Sequence, residues 1–240
     1  MKGLKKSQVV GILQRIRQAL QGKGTLIPKA KIPILKSYYI YERKKIQLDI
    51  SVANYLGVAN TQLIKQYVQL DHRFKFIYFV IRRWATQRKI HGAAYNYISS
   101  YAYCIMVIHF LQKADPPVLP CLQDVPPDTP PVFIHGWDCT VLNDLVWKSS
   151  NTMDVASLLL DFYKYYAKYD WKKRISIRSD SSSSVVFPSA IIIIEDPFEI
   201  THNLGKTVRP QNLAHIKREF ERAYKILSHP RPSLSELLKE

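Results

Sequence analysis

The chain has 240 residues, with 47% apolar and 22% charged residues, which is the balance of a soluble globular protein able to bury a core. Its 35 Lys and Arg against 19 Asp and Glu leave a net charge of +16. Such a charge favours a polyanionic partner, for example an RNA strand or a nucleoside triphosphate.

Three features exclude other classes of protein. The longest apolar run, residues 103–111, is too short to cross a bilayer, and the lysine-rich start lacks a secretory pattern, so we expect no membrane partner. Cys104, Cys121 and Cys139 are odd in number and have no ligand spacing. They predict free thiols without a disulfide, in a reducing compartment such as the cytoplasm or nucleus.

The first 53 residues predict an α-β-β segment. Residues 7–21 have helical periodicity, residues 27–41 are extended, and residues 42–45 form the turn into a strand. In that strand Ile46, Leu48 and Ile50 alternate with Gln47, Asp49 and Ser51. A carboxylate within an apolar strand costs free energy unless a partner stabilises it, so Asp49 is either an edge residue facing water or a functional group.

The next residues predict helices. Asn60 or Thr61 is a candidate cap for a first helix that ends near Leu70, and a second helix begins near Asp71 and carries Arg82 and Thr86 one turn apart. Ser99 or Ser100 is a candidate cap for an apolar, and therefore central, helix over residues 101–113.

The second half predicts a connector, more helices and a short strand pair. Residues 115–131 hold half of the fourteen prolines and predict an extended surface connector. A helix over residues 153–167 is predicted, with Asn151 or Thr152 as its cap. Short strands are predicted at 174–178 and 185–194, on either side of a polar loop at 179–184. Pro210 starts a last predicted helix that ends at residue 227.

Residues 195–206 form the most distinctive segment of the sequence. Asp196, Glu199 and His202 lie in a stretch that is bounded by Pro197 and Gly205. Polar side chains in a loop of this kind are better placed for contacting a ligand than for core packing.

Four blocks occur in one order: LDISVANYLGVANT, LDHRFKFIYFVIRRWATQR, SSYAYCIMVIHFLQ and IEDPFEITHNLG. Together they resemble the terminal uridylyltransferases and the related poly(A) polymerases of the DNA polymerase β-like nucleotidyltransferase superfamily. The resemblance covers residues 25–227. It implies an α+β, mostly helical fold: the C-terminal part of a nucleotidyltransferase palm in residues 1–53, a helical poly(A)-polymerase-associated domain in residues 54–227, and a tail in residues 228–240.

The resemblance also implies a function. The chain would add uridylyl residues from UTP to RNA 3′ ends, with Mg²⁺ or Mn²⁺ as cofactor and the nucleotide held in a cleft between the two domains. Asp49 would be the catalytic, metal-binding carboxylate. The implied nucleotide contacts are Asn54; Asn60 and Thr61 at the ribose; Arg82, Ser100 and Lys206 at the phosphates; Tyr101 stacked on the base; and Asp196, Glu199 and His202 selecting uracil.

One part of the family pattern is absent from residues 1–48. Members carry a Gly-Ser motif and two further carboxylates one residue apart, and no such pattern precedes Asp49. We therefore expect that this sequence cannot assemble the two-ion site by itself, being either truncated or a remnant. The alternatives are an ATP-using poly(A) polymerase and a catalytically inactive RNA- or nucleotide-binding module.

Overall fold

Two units of different architecture make up the chain in a computed structural model, which describes residues 4–179 and 185–239. Unit 1 contains the residues up to 59 together with 134–136, and unit 2 contains 60–133 and the residues from 137 onward. The described residues form seven α-helices and seven short strands, so the α+β, mostly helical class is confirmed. Most of the predicted polar loop, residues 180–184, lies outside the described residues.

Unit 1 is a helix beside a three-stranded antiparallel sheet. The helix is α1 (Lys6–Ala19), and the strands β1 (Thr25–Ile27), β2 (Ile34–Tyr41) and β3 (Lys44–Ile50) follow one another in the sheet. The sequence predicted two strands. The structure adds a third because residues 28–33, which contain two prolines, form a turn that divides the predicted first strand.

The apolar face of this sheet is only partly covered. Leu35 lies opposite Ile50, and both contribute to the core with Val9 and Leu13. The same face continues through Leu48 opposite Ser37 and Ile46 opposite Tyr39, yet Ile46 is 44% and Tyr39 is 59% exposed. An exposed apolar strand pair of this kind favours association with another apolar surface.

We predict that this exposed face makes the chain self-associate. Replacing Tyr39 by Thr and Ile46 by Lys should weaken association by about thirtyfold or more, because each change removes roughly 1–2 kcal/mol of apolar burial and the two together about 2–4 kcal/mol. Static light scattering over a concentration series measures the change. Ile40→Lys, on the opposite face of the same strand, is the matched control, and equal weakening by that control would contradict the prediction.

Unit 2 is built mainly of helices. It contains most of α2 (Tyr55–Leu70), and then α3 (His72–Gln87), a 3-10 turn (Ala93–Tyr95), α4 (Ser100–Lys113), α5 (Val155–Ala167), α6 (Pro210–Leu227) and α7 (Leu234–Leu238). Short strands pair as β4 (Phe133–Ile134) with β5 (Trp137–Asp138) and, in parallel, as β6 (Arg174–Ile175) with β7 (Ile193–Ile194). No helix within the described ranges is long and apolar enough to span a membrane.

Helix α4 lies at the centre of this unit, as its composition predicted. Every residue from Ala102 to Leu111 is buried. Aromatic rings from α3, α5 and α6 pack on one another beside it: the Trp84 ring centroid is 4.9 Å from that of Tyr163, edge to face, and 5.0 Å from that of Phe220, in a tilted arrangement. Such ring pairs add to the apolar burial that holds α4 in place.

Two of the predicted helix caps are wrong by a few residues, and Ser99, one of the two candidates for α4, is confirmed. Helix α2 begins at Tyr55, and its first turn is capped by Asn54, whose side-chain oxygen accepts a hydrogen bond from the Gly57 N–H at 3.1 Å. Asn60 and Thr61 therefore lie inside the helix. Ser99, and not Ser100, caps α4 by accepting from Ala102 N–H, and Asp154 caps α5 in place of Asn151 or Thr152.

Two segments expected on the surface contribute to packing. The proline-rich connector buries Val118, Leu119 and Leu122 and is thus part of the core of unit 2. The predicted tail contains α7, whose Leu237 is fully buried. The predicted domain boundary after residue 53 differs from the division between the units after residue 59.

Candidate nucleotide-binding site

Asp49 and Asn54 are the two candidate site residues in unit 1. Asp49 is exposed on β3 opposite Lys36, on the sheet face away from the core. Within residues 4–179 and 185–239 there is no group of three or more His, Cys, Asp and Glu that could hold a metal ion. A divalent ion such as Mg²⁺ needs about six oxygen ligands, so Asp49 alone does not fit a bound ion.

Helices α3 and α4 bring three polar groups together in unit 2. The imidazole Nε2 of His91 lies 2.7 Å from the Ser100 hydroxyl, and the Tyr78 hydroxyl donates to the Ser100 carbonyl at 3.4 Å. Ser100 is the first residue of α4, where backbone N–H groups have no partner within the helix. This arrangement suits an anion, because hydroxyl and amide donors meet the positive end of the helix dipole.

The exposed Arg82 guanidinium adds positive charge to this cluster. Burial and, after it, the charge of Arg82 lower the pKa of His91 below its ordinary value. His91 is therefore neutral at pH 7, and its Nε2 either accepts the Ser100 proton or donates to the Ser100 oxygen. Only the second arrangement leaves the Ser100 O–H able to donate to a ligand.

Seven buried polar side-chain atoms of the described residues lack a hydrogen-bond partner, and two of them belong to predicted nucleotide contacts. The Tyr101 ring is half-buried, and its hydroxyl is one of these atoms. Burial and then the charge of Asp196 raise the pKa of Tyr101, so its hydroxyl stays protonated. The side-chain oxygen of Asn60 is the other. Unsatisfied buried polar groups are costly, and they are commonly found where a ligand binds.

The segment with Asp196, Glu199 and His202 is a tightly bonded turn. The Asp196 carboxylate is buried and accepts from the Phe198 and Glu199 N–H groups at 3.0 Å each. The His202 N–H donates to the Glu199 carbonyl at 2.7 Å. The sequence predicted a loop unsuited to core packing, and this is wrong for Asp196 because its hydrogen bonds to the backbone satisfy it in the interior.

Asn203 fixes the end of this turn, and sequence reasoning did not identify it. Its amide is buried, donates to the Ile192 carbonyl at 2.8 Å, and accepts from the N–H groups of Ile194 and Gly205. Glu195, just before the turn, is 1% exposed and pairs with Arg174 at 2.8 Å. These contacts hold the turn against β6 and β7.

The structure thus brings together some of the predicted site residues. Tyr101 lies near Asp196, and Arg82 lies near Ser100 through His91. Thr61 and Lys206 are exposed, and the ligand contacts inferred for all of these residues stay predictions. His91 was missed because it lies nine residues before Ser100 in an irregular segment, where no periodic spacing links the two.

Comparisons with known proteins agree with this architecture. Residues 4–69 match a family model described as the central palm domain of poly(A) RNA polymerase, mitochondrial-like. The chain is 30% identical to human terminal uridylyltransferase 7 over 95% of its own length and 16% of that protein. It is also 30% identical to human poly(A) RNA polymerase GLD2 over 85% of its length and 43% of that protein.

Solved structures show the same fold. A Cid1 poly(U) polymerase structure with Mg 3′-dATP bound matches with a TM-score of 0.84 and 28% identity, covering 100% of this chain and 78% of that one. A cytoplasmic RNA terminal U-transferase matches with a TM-score of 0.81 and 30% identity, covering 95% of this chain and 77% of that one. The chain belongs to the family of terminal uridylyltransferases and related poly(A) RNA polymerases. It spans less than half the length of the two human relatives.

We predict that Asn203 stabilises the candidate site. Asn203→Ala should lower the free energy of unfolding by roughly 2–4 kcal/mol, because it leaves buried main-chain groups without partners. Urea denaturation followed by circular dichroism measures this. Thr201→Ala, an exposed position in the same turn, is the matched control. A loss for Asn203→Ala no larger than that for the control would show that the amide network does not stabilise the turn.

Proposed function

We propose that this chain supplies the nucleotide-binding region of an RNA 3′-terminal nucleotidyltransferase that prefers UTP. The observation that carries the proposal is the N-terminus of α4. This helix end and the residues beside it contribute three groups that could contact a ligand. They are the Ser100 hydroxyl, the positive charge of Arg82 and the Tyr101 hydroxyl, which has no hydrogen-bond partner. A nucleotide combines the phosphate and base that such a set would recognise.

The triphosphate would be held by Ser100 and Arg82, with the exposed Lys206 as a further cation. The hydroxyl donates to a phosphate oxygen, the amides of the first turn of α4 add donors, and the guanidinium supplies charge. His91 would act as a positioning residue, because its contact decides whether the Ser100 proton is free for the ligand.

The base and ribose would be held by other residues. Tyr101 would stack on the base, Asn60 and Thr61 would contact the ribose hydroxyls, and the turn with Asp196, Glu199 and His202 would select uracil. The Asn60 side-chain oxygen, buried without a partner, can accept from a ribose hydroxyl. Asn54 already caps α2, so its contribution would be to fix the start of that helix.

Transfer of the nucleotide to RNA would require a divalent ion in addition to these contacts. The solved Cid1 relative is described with Mg bound, and we infer that the complete enzyme also uses a divalent ion, Mg²⁺ or Mn²⁺. Asp49 would be one of its ligands, but the described residues do not provide the others. The residues of this chain therefore account for nucleotide binding and selection, and we assign them no step of the transfer itself.

Two alternatives have specific support. An ATP-using poly(A) polymerase is favoured by the match to GLD2, which is as identical to this chain as terminal uridylyltransferase 7 is. A binding module without catalytic activity is favoured by the single carboxylate at Asp49. Both alternatives use the same binding residues, and they differ from our proposal in base preference and in turnover.

We predict that His202 determines the base preference. In the parent chain UTP should bind more tightly than ATP, because the imidazole fills space that a purine needs and donates to a uracil oxygen. His202→Asn should reduce the UTP-to-ATP affinity ratio by about tenfold, which corresponds to about 1.4 kcal/mol. Isothermal titration calorimetry with each nucleotide gives the ratio without requiring catalysis.

Tyr101→Ala is the comparison variant for that measurement. It should weaken both nucleotides together, because stacking is tolerant of which base supplies the ring. An unchanged ratio in His202→Asn would remove the support for UTP. Failure of the parent chain to bind either nucleotide would contradict the proposed site.

We also predict a pH dependence that comes from His91. Its pKa is lowered in the free protein, and nearby phosphate charge would raise it, so nucleotide binding takes up a proton. Affinity for UTP should therefore rise as the pH falls through the interval between the two pKa values. Over about two pH units the gain should be on the order of threefold beyond that of His91→Gln, whose amide cannot titrate. Titration of UTP itself is common to both proteins, so identical pH profiles would contradict this role.

A further inference from the structure

Strand β3 forms an open edge of the sheet in unit 1. The strand order is β1-β2-β3, and within the described residues β2 is the only strand that pairs with β3. Every residue of β3 except Ile50 is exposed. The backbone N–H and C=O groups on the far side of β3 can therefore pair with a further strand.

Several features that protect sheet edges are missing from β3. Its seven residues pair with β2 in one uninterrupted register, without a bulge, and contain no proline. The opposite edge of the sheet, β1, has only three residues and is followed directly by Pro28. Short length, bulges and prolines discourage the addition of another strand, so β1 is protected and β3 remains open.

The charges of β3 make the strand complementary to itself. Lys44 and Lys45 are at its start, and Asp49, its only acidic residue, is near its end. Edge lysines oppose pairing with a basic segment, and a parallel copy of β3 would place like charges side by side. An antiparallel copy instead places the basic end of each strand beside the acidic end of the other.

One antiparallel register suits both faces of the sheet. If Gln47 lies opposite Gln47 of a second copy, Lys45 lies opposite Asp49. In the same register Ile46 lies opposite Leu48, and two-fold symmetry makes each of these pairs occur twice. Opposite residues share a sheet face, so the ion pairs form on the outer face and the apolar pairs on the face of the core. A shift by two residues in either direction separates Lys45 from Asp49.

The side chains of these pairs are accessible. Ile46 and Leu48 are exposed, and Asp49 forms no ion pair within the part of the chain that the structure describes. The Lys45 Nζ lies 4.1 Å from the centroid of the Tyr38 ring. A cation–π contact at an exposed site is weak, and it leaves the ammonium group able to donate to a carboxylate.

We propose that β3 pairs antiparallel with β3 of a second copy of this chain, with Gln47 at the two-fold axis. Two three-stranded sheets then become one six-stranded sheet, in which the backbone groups of both edges have partners. The pairs of Ile46 with Leu48 lie on the exposed apolar face, so the association expected of that face gains a defined geometry. None of the proposed nucleotide contacts takes part, and the proposal does not rest on the proposed function.

The test is sedimentation equilibrium of the full chain over a concentration series, at about 0.15 M salt, where distant surface charges are screened. The parent chain should form dimers. Lys45→Glu and Asp49→Lys should each weaken dimerisation by about tenfold, because two attractive pairs become two repulsive ones. General repulsion between chains of net charge +16 would give the opposite sign for Lys45→Glu, which lowers that charge.

The matched control is Lys29→Glu, at an exposed position in the turn between β1 and β2. It changes the net charge by the same amount as Lys45→Glu and should leave dimerisation unchanged.

Mixing the two charge variants gives a second measurement. An equimolar mixture of Lys45→Glu and Asp49→Lys should dimerise as strongly as the parent, because every ion pair between the two proteins again joins an acid to a base. The double variant with both changes should dimerise by itself for the same reason. Recovery in the mixture also shows that both single variants are folded, so their separate losses come from the interface.

A cysteine at the centre of β3 tests the register. Gln47→Cys should form an intermolecular disulfide under mild oxidation, because opposite Cβ atoms in a strand pair are about 4.5–5.5 Å apart. Lys44→Cys should not, because its two copies would be separated by six residues along the strands, or about 20 Å. The parent chain, with Cys104, Cys121 and Cys139, gives the background.

Three results would overturn the proposal. A parent chain that stays monomeric over the whole series would mean that this edge does not pair with itself. Unchanged dimerisation in both charge variants, with a loss only in the variant that carries Tyr39→Thr and Ile46→Lys, would show that two apolar faces stack instead. A mixture that fails to recover, or equal cross-linking by Lys44→Cys and Gln47→Cys, would exclude the register.

Discussion

Burial of α4 is the constraint on which the rest of unit 2 depends. All ten residues from Ala102 to Leu111 are removed from solvent, and rings from α3 and α5 pack against them, Trp84 on Tyr103 and Phe162 on Phe110. A helix packed on every side cannot rotate or shift without opening cavities in a close-packed interior. Packing of the helix consequently holds both ends of α4 in place. Its N-terminus presents Ser100 and Tyr101, and its C-terminal end carries His109 and Lys113.

Buried polar contacts fix the turn that faces α4. Glu195, Asp196 and Asn203 are each less than about one-tenth exposed, and their hydrogen bonds go to backbone groups or to Arg174 and Ser176. Removing one partner from such a network leaves a buried group unsatisfied, which costs more than the bond itself contributes. The turn that carries Glu199 and His202 is therefore held rigidly, and rigidity is what a base-selecting contact requires, because a mobile side chain could adapt to either base.

The sequence predicted the long helices well and the local details poorly. Apolar periodicity is strong in α3 and α6, and α4 is apolar on all sides, so the existence of these helices and their burial could be predicted directly. The start of α2 could not be predicted from the sequence, because Gly57 weakens the helical pattern there and Asn54, Asn60 and Thr61 are all good capping residues. The pairing of β6 with β7 involves two residues from each strand, too few for alternation to show.

The candidate site residues also differ in how far the sequence alone could suggest them. Residues within one recognised block, such as Ser100 and Tyr101 or Asp196 and His202, could be proposed from the sequence because the resemblance supplied their roles. His91 and Asn203 act through contacts made only in the folded chain. The proposed nucleotide binding in unit 2 therefore depends on how α4 is buried, whereas Asp49 of unit 1 would contribute to chemistry only with further ligands. The proposed nucleotide selection can consequently be measured in this chain separately from transfer.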